Sequence, residues 1–332
     1  MTFCMKTTYL GLELSSPLVA SAGPTTRTLD GLRLLEQSGA AAAVLPSLFE
    51  EQIEHEQLAL HRLYEYQAES YAESLSYFPT MPMYGVGPDE YLKYLEEAKS
   101  AVRMPLIASL NGASPGGWMR YARNMQDAGA DALELNIYYV PTDPSESAAE
   151  VERRYAEMVN NVSVTVDIPL AVKLGPSFTA LPHFAQQLAS AGADGLVLFN
   201  RYLEPNIDLD SLQIVPDLEL SSRHEIRPSL RWIAILRDTV TVSLAATSGA
   251  HMAEDVVKLL LVGADVVMMT SALLKFGAQH LKKVDEDLRE WCVQREYRSI
   301  DQLRGSMSRA NCPDASALER GNYMKALQSY TA

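Results

Sequence analysis

The stretch AGADALELN, Ala128 to Asn136, sets a small-residue turn directly before an apolar run that ends on an amide. The same order recurs in SGAAAAVLPS from Ser38, AGADGLVLFN from Ala191 and VGADVVMMTS from Val262. Ahead of these lie LDGLRLLEQ, WMRYARNMQD, HFAQQLA and EDVVKLLL, whose apolar residues stand three and four apart, the spacing of one helix face. Gly39, Gly129, Gly192 and Gly263 therefore fall where a helix ends in a left-handed residue, and the apolar run after each reads as a strand buried on both faces.

Between these units, other strands are entered from β-favouring residues: MPLIASLNG from Met104, IPLAVKLGP from Ile168 and TVSLAATSG from Thr241. With SPLVASAGP from Ser16 the number of strands reaches eight, and DEYLKYLEEAKSAV and AEVERRYAEMVNNV supply further helices. Short apolar strands alternating with amphipathic helices form a parallel sheet, and eight of them suit a closed (β/α)8 TIM barrel of the α/β class. An open doubly wound sheet is the alternative, which the regular Gly-Ala spacing disfavours. Such a barrel needs about 250 residues. The surplus is assigned to a leading hairpin (TTYLGLELSSP), insertions at Leu48 to Pro88 after the second strand and Arg201 to Arg227 after the sixth, and a tail. The expected division is a barrel over 1–297 and an extension over 298–332, packed on or between barrels. Both insertions follow strand C-termini, the face on which barrel enzymes work.

With 332 residues, 47% of them hydrophobic, the chain can bury a large core, and a net charge of −14 argues against nucleic acid or an anionic membrane as partner. Cys4, Cys292 and Cys312 lie far apart with no CxxC pair, which fits unpaired thiols in a reducing cytoplasm and no metal or iron–sulfur centre. The N-terminal residues do not resemble a signal peptide, and the apolar region Val256 to Phe276 carries Lys258 and Asp265 inside it, unlike a membrane span.

The strand C-termini converge on Ser21, Gly23, Ser47, Ser109, Asn111, Asn136, Lys173, Asn200, Ser248, Gly249, Thr270 and Ser271: amides, hydroxyls, glycines and a single cation. Strands seven and eight end in ATSG and MTSAL just before helices, a setting in which barrels bind phosphate. A phosphorylated ligand is expected; no Walker loop or GxGxxG occurs. A buried Lys173 needs an anion. The candidates are a reduced flavin, a substrate carboxylate or, structurally, an acid on the neighbouring strand such as Glu134. Glu51 and His55 stand four apart on a charged stretch that reads better as a solvated face than as a metal site, and His251 serves either the phosphate loop or the surface. Tyr64, Tyr66, Tyr71, Tyr77, Tyr84, Tyr91 and Tyr94 suit either a lid over an aromatic ligand or a dimer contact.

ASAGP (20–24), LELN (133–136), AVKLGP (171–176), LVLFN (196–200), ATSG and MTSAL (269–273), in that order from about Thr7 to Glu296, resemble the flavin-mononucleotide pattern of class 1 dihydroorotate dehydrogenases. SLFEEQIEHE, ASLNG, LFNR and RGSM resemble the dihydroorotate dehydrogenase-like subgroup. The resemblance implies FMN across the barrel mouth. Ala20, Ser21, Gly23, Ser47, Ser109, Asn136, Lys173 and Phe199 would surround the ring and ribityl chain, and Ser248, Gly249, Thr270 and Ser271 would hold the phosphate. Lys173 would answer the charge of the reduced ring, while Asn136 and Asn200, with Asn111 and Arg201 beside them, would bind a small planar cyclic substrate. The implied activity is hydride transfer between a dihydroorotate-like substrate and flavin N5, in a cytoplasmic homodimer serving a soluble electron acceptor or redox protein.

Three positions depart from that pattern. The family's cysteine base is replaced by Tyr139, a phenol with an ordinary pKa near 10. A family lysine at the end of strand two is replaced by Pro46, and the substrate loop reads SYFPTMPMYGVGP. The departures leave two rivals to weigh, a flavin-binding protein without dihydroorotate turnover and a flavin-free lyase or aldolase with Lys173 as Schiff base.

Overall fold

The computed structural model describes residues 3–54, 87–114, 116–201 and 204–329. Strands β1 (Thr7–Tyr9) and β2 (Leu12–Leu14) form an antiparallel hairpin. The barrel strands are β3 (Leu18–Ala20), β4 (Ala42–Phe49), β5 (Leu106–Gly112), β6 (Ala132–Ile137), β7 (Leu170–Leu174), β8 (Gly195–Leu198), β11 (Ser243–Ala246) and β12 (Val266–Met269). They close in that order as a parallel barrel, β12 returning to β3. The eight expected strands are all present, and closure excludes the open doubly wound sheet. The leading hairpin is also present, and the insertion after β8 holds a second one, β9 (Pro205–Asp208) with β10 (Gln213–Pro216).

Helices fill the connections as the apolar spacing requires: α1 (Leu29–Gln37), α2 (Pro88–Ala101), α3 (Tyr121–Asp127), α4 (Ala148–Ser163), α5 (Leu181–Ser190), α6 (Ile226–Leu236), α7 (Ala253–Val262), α8 (Ser271–Phe276) and α9 (His280–Gln294). The N-cap Thr28 accepts the Gly31 N–H, and Ser147 with Glu150 forms a capping box that starts α4. Gly39, Gly129, Gly192 and Gly263 all have φ between +95° and +121°, so each chain reversal uses a backbone region that side-chain-bearing residues avoid.

The Gly-Ala-Asp repeat has a second function. Asp131, Asp194 and Asp265 each turn a carboxylate to an N–H at the start of the neighbouring strand, at Leu106 (2.7 Å), Leu170 (2.8 Å) and Leu244 (2.7 Å). The repeat thus ends a helix with its glycine and ties the floor of the barrel with its acid. Beneath that floor the leading hairpin acts as a plug. Tyr9, Leu10 and Leu14 pack with the inward residues Val19, Ala132, Ala171, Val197, Ala245 and Met268. The wider core lies between the strands' outer face and the helices.

Pro46 lies inside β4, where a ladder donor would be missing. The pairing absorbs it: Val44 stands opposite Ile107 and Ser47 opposite Ser109, so Leu45 and Pro46 share one partner position in a bulge. The amide of Ser109 is satisfied instead by the Tyr91 hydroxyl at 3.2 Å.

The tail hydrogen-bonds along the barrel's own helices, Gly305 N to Leu260 O, Met307 N to Leu261 O and Arg309 N to Ala234 O. Cys4, Cys292 and Cys312 are free thiols, and burial pushes the Cys292 thiol up to about 11, far from a reactive thiolate. Among the described residues no helix is long and apolar enough to cross a membrane.

Candidate active site at the barrel mouth

The strand periodicity sends Glu134 and Asn136 of β6, and Ala171 and Lys173 of β7, toward the barrel axis, with Asn136 in register with both Asn111 and Lys173. Asn111, Asn136 and Lys173 are buried. Asn200 donates through Nδ2 to Asn136 Oδ1 at 2.7 Å, and its own N–H binds Leu174 O. The two carboxamides therefore form one couple above β6 and β7. On the other side the hydroxyls of Ser47 and Ser109 meet at 2.8 Å.

Lys173 finds its anion within the protein. Its Nζ lies 3.3 Å from Glu134 Oε1, both side chains nearly inaccessible at 10% and 1% exposure. The neighbouring-strand acid, rather than a ligand alone, thus meets the ammonium. Glu134 Oε2 is buried with no hydrogen-bond partner among the described residues.

The ends of β11 and β12 build a cradle. Ser248 (φ +71°) and Gly249 (φ +81°) turn the chain in the left-handed region, and Ser248 Oγ donates to Phe199 O at 3.2 Å. Phe199 is buried in the wider core. A Cβ on Gly249 would lie 2.6 Å from Ile226 N and 2.8 Å from Ser222 O, so only glycine fits against that backbone. A Cβ on Gly23 would lie 2.7 Å from the Thr270 methyl, and Thr270 Oγ1 donates to Ala22 O, which draws these two predicted residues together. Ala20 and Ser21 are buried beside them, Ser21 N bound to Met269 O.

Ser221 carries no sequence signal beyond its place in the insertion, yet it is buried in this cradle. Its N–H donates to Ser271 Oγ at 3.1 Å, and its Oγ accepts from Gly249 N at 3.2 Å. His251 is buried next to the loop, its Nε2 without a hydrogen-bond partner among the described residues, and burial pulls its pKa below the usual value.

Two predicted residues are engaged elsewhere. Arg201 donates to Glu225 at 2.9 Å and to the Glu219 carbonyl, within its own insertion. Tyr139 donates its hydroxyl to Glu146 Oε2 at 2.7 Å, and the Arg154 guanidinium lies 4.7 Å from its ring centre and also pairs with Glu146. The hydrogen bond to Tyr139 and the Glu146 charge hold Arg154 above its ordinary pKa. His55, Tyr64, Tyr66, Tyr71, Tyr77 and Tyr84, together with nearly all of SYFPTMPMYGVGP, lie outside the described residues. Among the described residues no group of three or more His, Cys, Asp or Glu could hold a metal ion.

The strand of Lys173 and the strands that Ser248 and Thr270 follow are two and three strand spacings apart around the barrel, roughly 10–15 Å. This donor set, a cation at one side and a glycine-lined cradle of amides and hydroxyls at the other, fits a planar phosphate-bearing cofactor. The family model for dihydroorotate dehydrogenase matches residues 4–291. The chain belongs to the dihydroorotate dehydrogenase family. It is 24% identical over 313 residues, 92% of this chain and 99% of the relative, to a dihydroorotate dehydrogenase B (NAD(+)) catalytic subunit of Methanothermobacter thermautotrophicus. It is 28% identical over 207 residues, 61% of this chain and 68% of the relative, to the corresponding subunit of Shouchella clausii. It is 26% identical over 185 residues, 54% and 60% of the two chains, to a dihydroorotate dehydrogenase A (fumarate) of Lactobacillus helveticus. Dihydroorotate dehydrogenases are flavin-dependent oxidoreductases of pyrimidine biosynthesis that act on a CH–CH bond, and resemblance to both A and B types puts the chain with the class 1 enzymes.

Proposed function

We propose that this dihydroorotate dehydrogenase family member binds FMN at the barrel mouth and moves a hydride between a dihydroorotate-like cyclic substrate and flavin N5. The observation that carries the reading is Lys173, buried beside the Asn136–Asn200 couple and two to three strands from the glycine-lined cradle. Bound FMN supplies the acceptor for the hydride.

The other tasks fall to the chain. The hydroxyls of Ser221, Ser248, Thr270 and Ser271 hold the phosphate over the Gly249 turn, whose own N–H is bound to Ser221 Oγ. Ser21, Gly23, Ser47 and Ser109 line the ring and ribityl chain, with the backbone of Ala20 and Phe199, whose side chains pack in the wider core. Lys173 answers negative charge at the pyrimidine end of the ring. Asn111, Asn136 and Asn200, with Arg201 at the rim, orient the substrate's amides. Tyr139 occupies the position of the family's base; its phenol passes its own proton to Glu146 as it takes one from substrate carbon.

A second copy of the chain completes the molecule in this reading. The β9–β10 hairpin exposes Ile207, Leu209, Leu212 and Ile214 at 60–81%, apolar area suited to a homodimer contact. The electron acceptor is a soluble molecule or redox protein of the cytoplasm.

The test is spectroscopic. The purified protein should take up FMN, with flavin absorbance near 1:1 stoichiometry, and dihydroorotate should bleach it anaerobically. Failure to bind FMN overturns the cofactor assignment. FMN binding without bleaching overturns the dihydroorotate assignment, and a panel of cyclic amides then identifies the reductant.

A further inference from the structure

We propose that Glu134 sets the net charge that Lys173 presents to the flavin and so tunes its reduction potential; the inference rests on the FMN reading above. The carboxylate sits one pleat below the mouth, on the strand next to that of Lys173, and faces the same interior. The pair is 3.3 Å apart and closed to solvent, so neither charge is damped by water. A site that needed only a cation under the ring would be served by Lys173 among the amides of Asn111, Asn136 and Asn200. This barrel instead buries a full counter-charge, leaving Glu134 Oε2 without a hydrogen bond among the described residues.

What lies beneath sharpens the effect. The Tyr9 hydroxyl from the plug hairpin is fully buried and also has no hydrogen-bond partner among the described residues. Burial, then the charges of Glu134 and Asp265, push its pKa well above the ordinary phenol value, so it stays neutral and adds no charge beside the pair. Glu134 therefore has Lys173 as its ion-pair partner, and the two together are close to neutral. Reduction of the flavin by two electrons with uptake of one proton adds one negative charge above them. An isolated Lys173 would stabilise that charge in full, whereas Lys173 paired with Glu134 stabilises it in part. Glu134 thus keeps the reduced flavin ready to give up its electrons and acts as a positioning residue with a redox readout.

The midpoint potential of the FMN-loaded protein, measured against reference dyes under slow enzymatic reduction, tests this in wild type, Glu134→Gln and Lys173→Gln. Glu134→Gln should favour the reduced form at least tenfold, about +30 mV for a two-electron couple. Lys173→Gln should shift it in the opposite direction. General damage to the site does not produce opposite signs. A Glu134→Gln potential at or below that of wild type overturns the inference while leaving the FMN reading intact; a wild-type protein that takes up no FMN overturns both. Should Glu134→Gln fail to fold, the reduced-minus-oxidised infrared spectrum of wild-type protein labelled with 13C-glutamate gives the answer. A perturbed carboxylate band supports the proposal, and its absence overturns it.

Discussion

The carboxylate of Asp265 accepts the N–H of Leu244 at 2.7 Å across the barrel floor, on the turn that also ends helix α7. The same side chain meets Arg237 at 3.1 Å and Arg304 at 3.0 Å, so the strand β11, the helix α6 and the C-terminal tail are fastened at one buried acid. Asp265→Asn keeps one acceptor for Leu244 but leaves Arg237 without its counter-charge and Arg304 with Asp301 alone. Removing one partner of a buried pair costs about 3–5 kcal/mol. Arg237 keeps 30% of its side-chain exposure and Arg304 16%, which lowers the expected loss to about 2 kcal/mol. A urea titration should show the midpoint falling with an unchanged slope; an unshifted midpoint rules out this role.

Gly249→Ala separates the cradle from the rest of the fold. The new methyl would meet the backbone of Ile226, Ser222 and Glu225 within 2.9 Å, in a φ region that already costs a side-chain-bearing residue about 1–2 kcal/mol. The 221–226 segment must move away, and with it the Ser221 contacts to Gly249 and Ser271. FMN affinity should fall at least tenfold by fluorescence titration while circular dichroism still reports a barrel. Wild-type affinity in this variant would remove the loop from the phosphate site.

Tyr139→Phe removes the proton-accepting oxygen in the proposed reaction and preserves the ring under Arg154. A general base contributes about 100-fold or more, so anaerobic flavin reduction by substrate should slow by that amount with FMN still bound. Glu146→Gln takes away the acceptor of the Tyr139 proton. It should move the pH dependence of that rate to higher pH, a change that loss of packing alone does not cause. A Tyr139→Phe protein reduced at the wild-type rate would hand the proton to another group.

The fold was legible because each barrel strand carries its own local signal. In Ala128–Asn136 the glycine ends a helix, the apolar run fills a strand and the asparagine marks the mouth. What Asp131 and Asp194 do was hidden, since their partners Leu106 and Leu170 are distant in sequence and a carboxylate in a turn looks like ordinary turn chemistry. Lys173 stood out as a cation among amides, and Glu134 entered as one of its possible partners because alternation puts it on the same interior face. Ser221 leaves no mark in the sequence for a different reason. Its place in the cradle comes from an insertion folding back over β11 and β12, and periodicity carries no record of that return.

His251 gives the fold a pH response of known sign. Burial lowers its pKa from the ordinary 6.5, Lys275 and Arg223 add to that, and the Ser221 carbonyl and Asp255 act against it. The folded protein therefore keeps this imidazole neutral at a pH where the unfolded chain has begun to protonate it. Below about pH 6.5 the unfolded state binds more protons, so stability falls as pH drops, until the folded form protonates too. The slope from this one group is at most about 1.4 kcal/mol per pH unit. Denaturation of wild type and His251→Gln at pH 7.5 and 5.5 isolates it. The wild type should lose more stability than the variant between the two pH values, and equal losses would show that His251 titrates alike in both states.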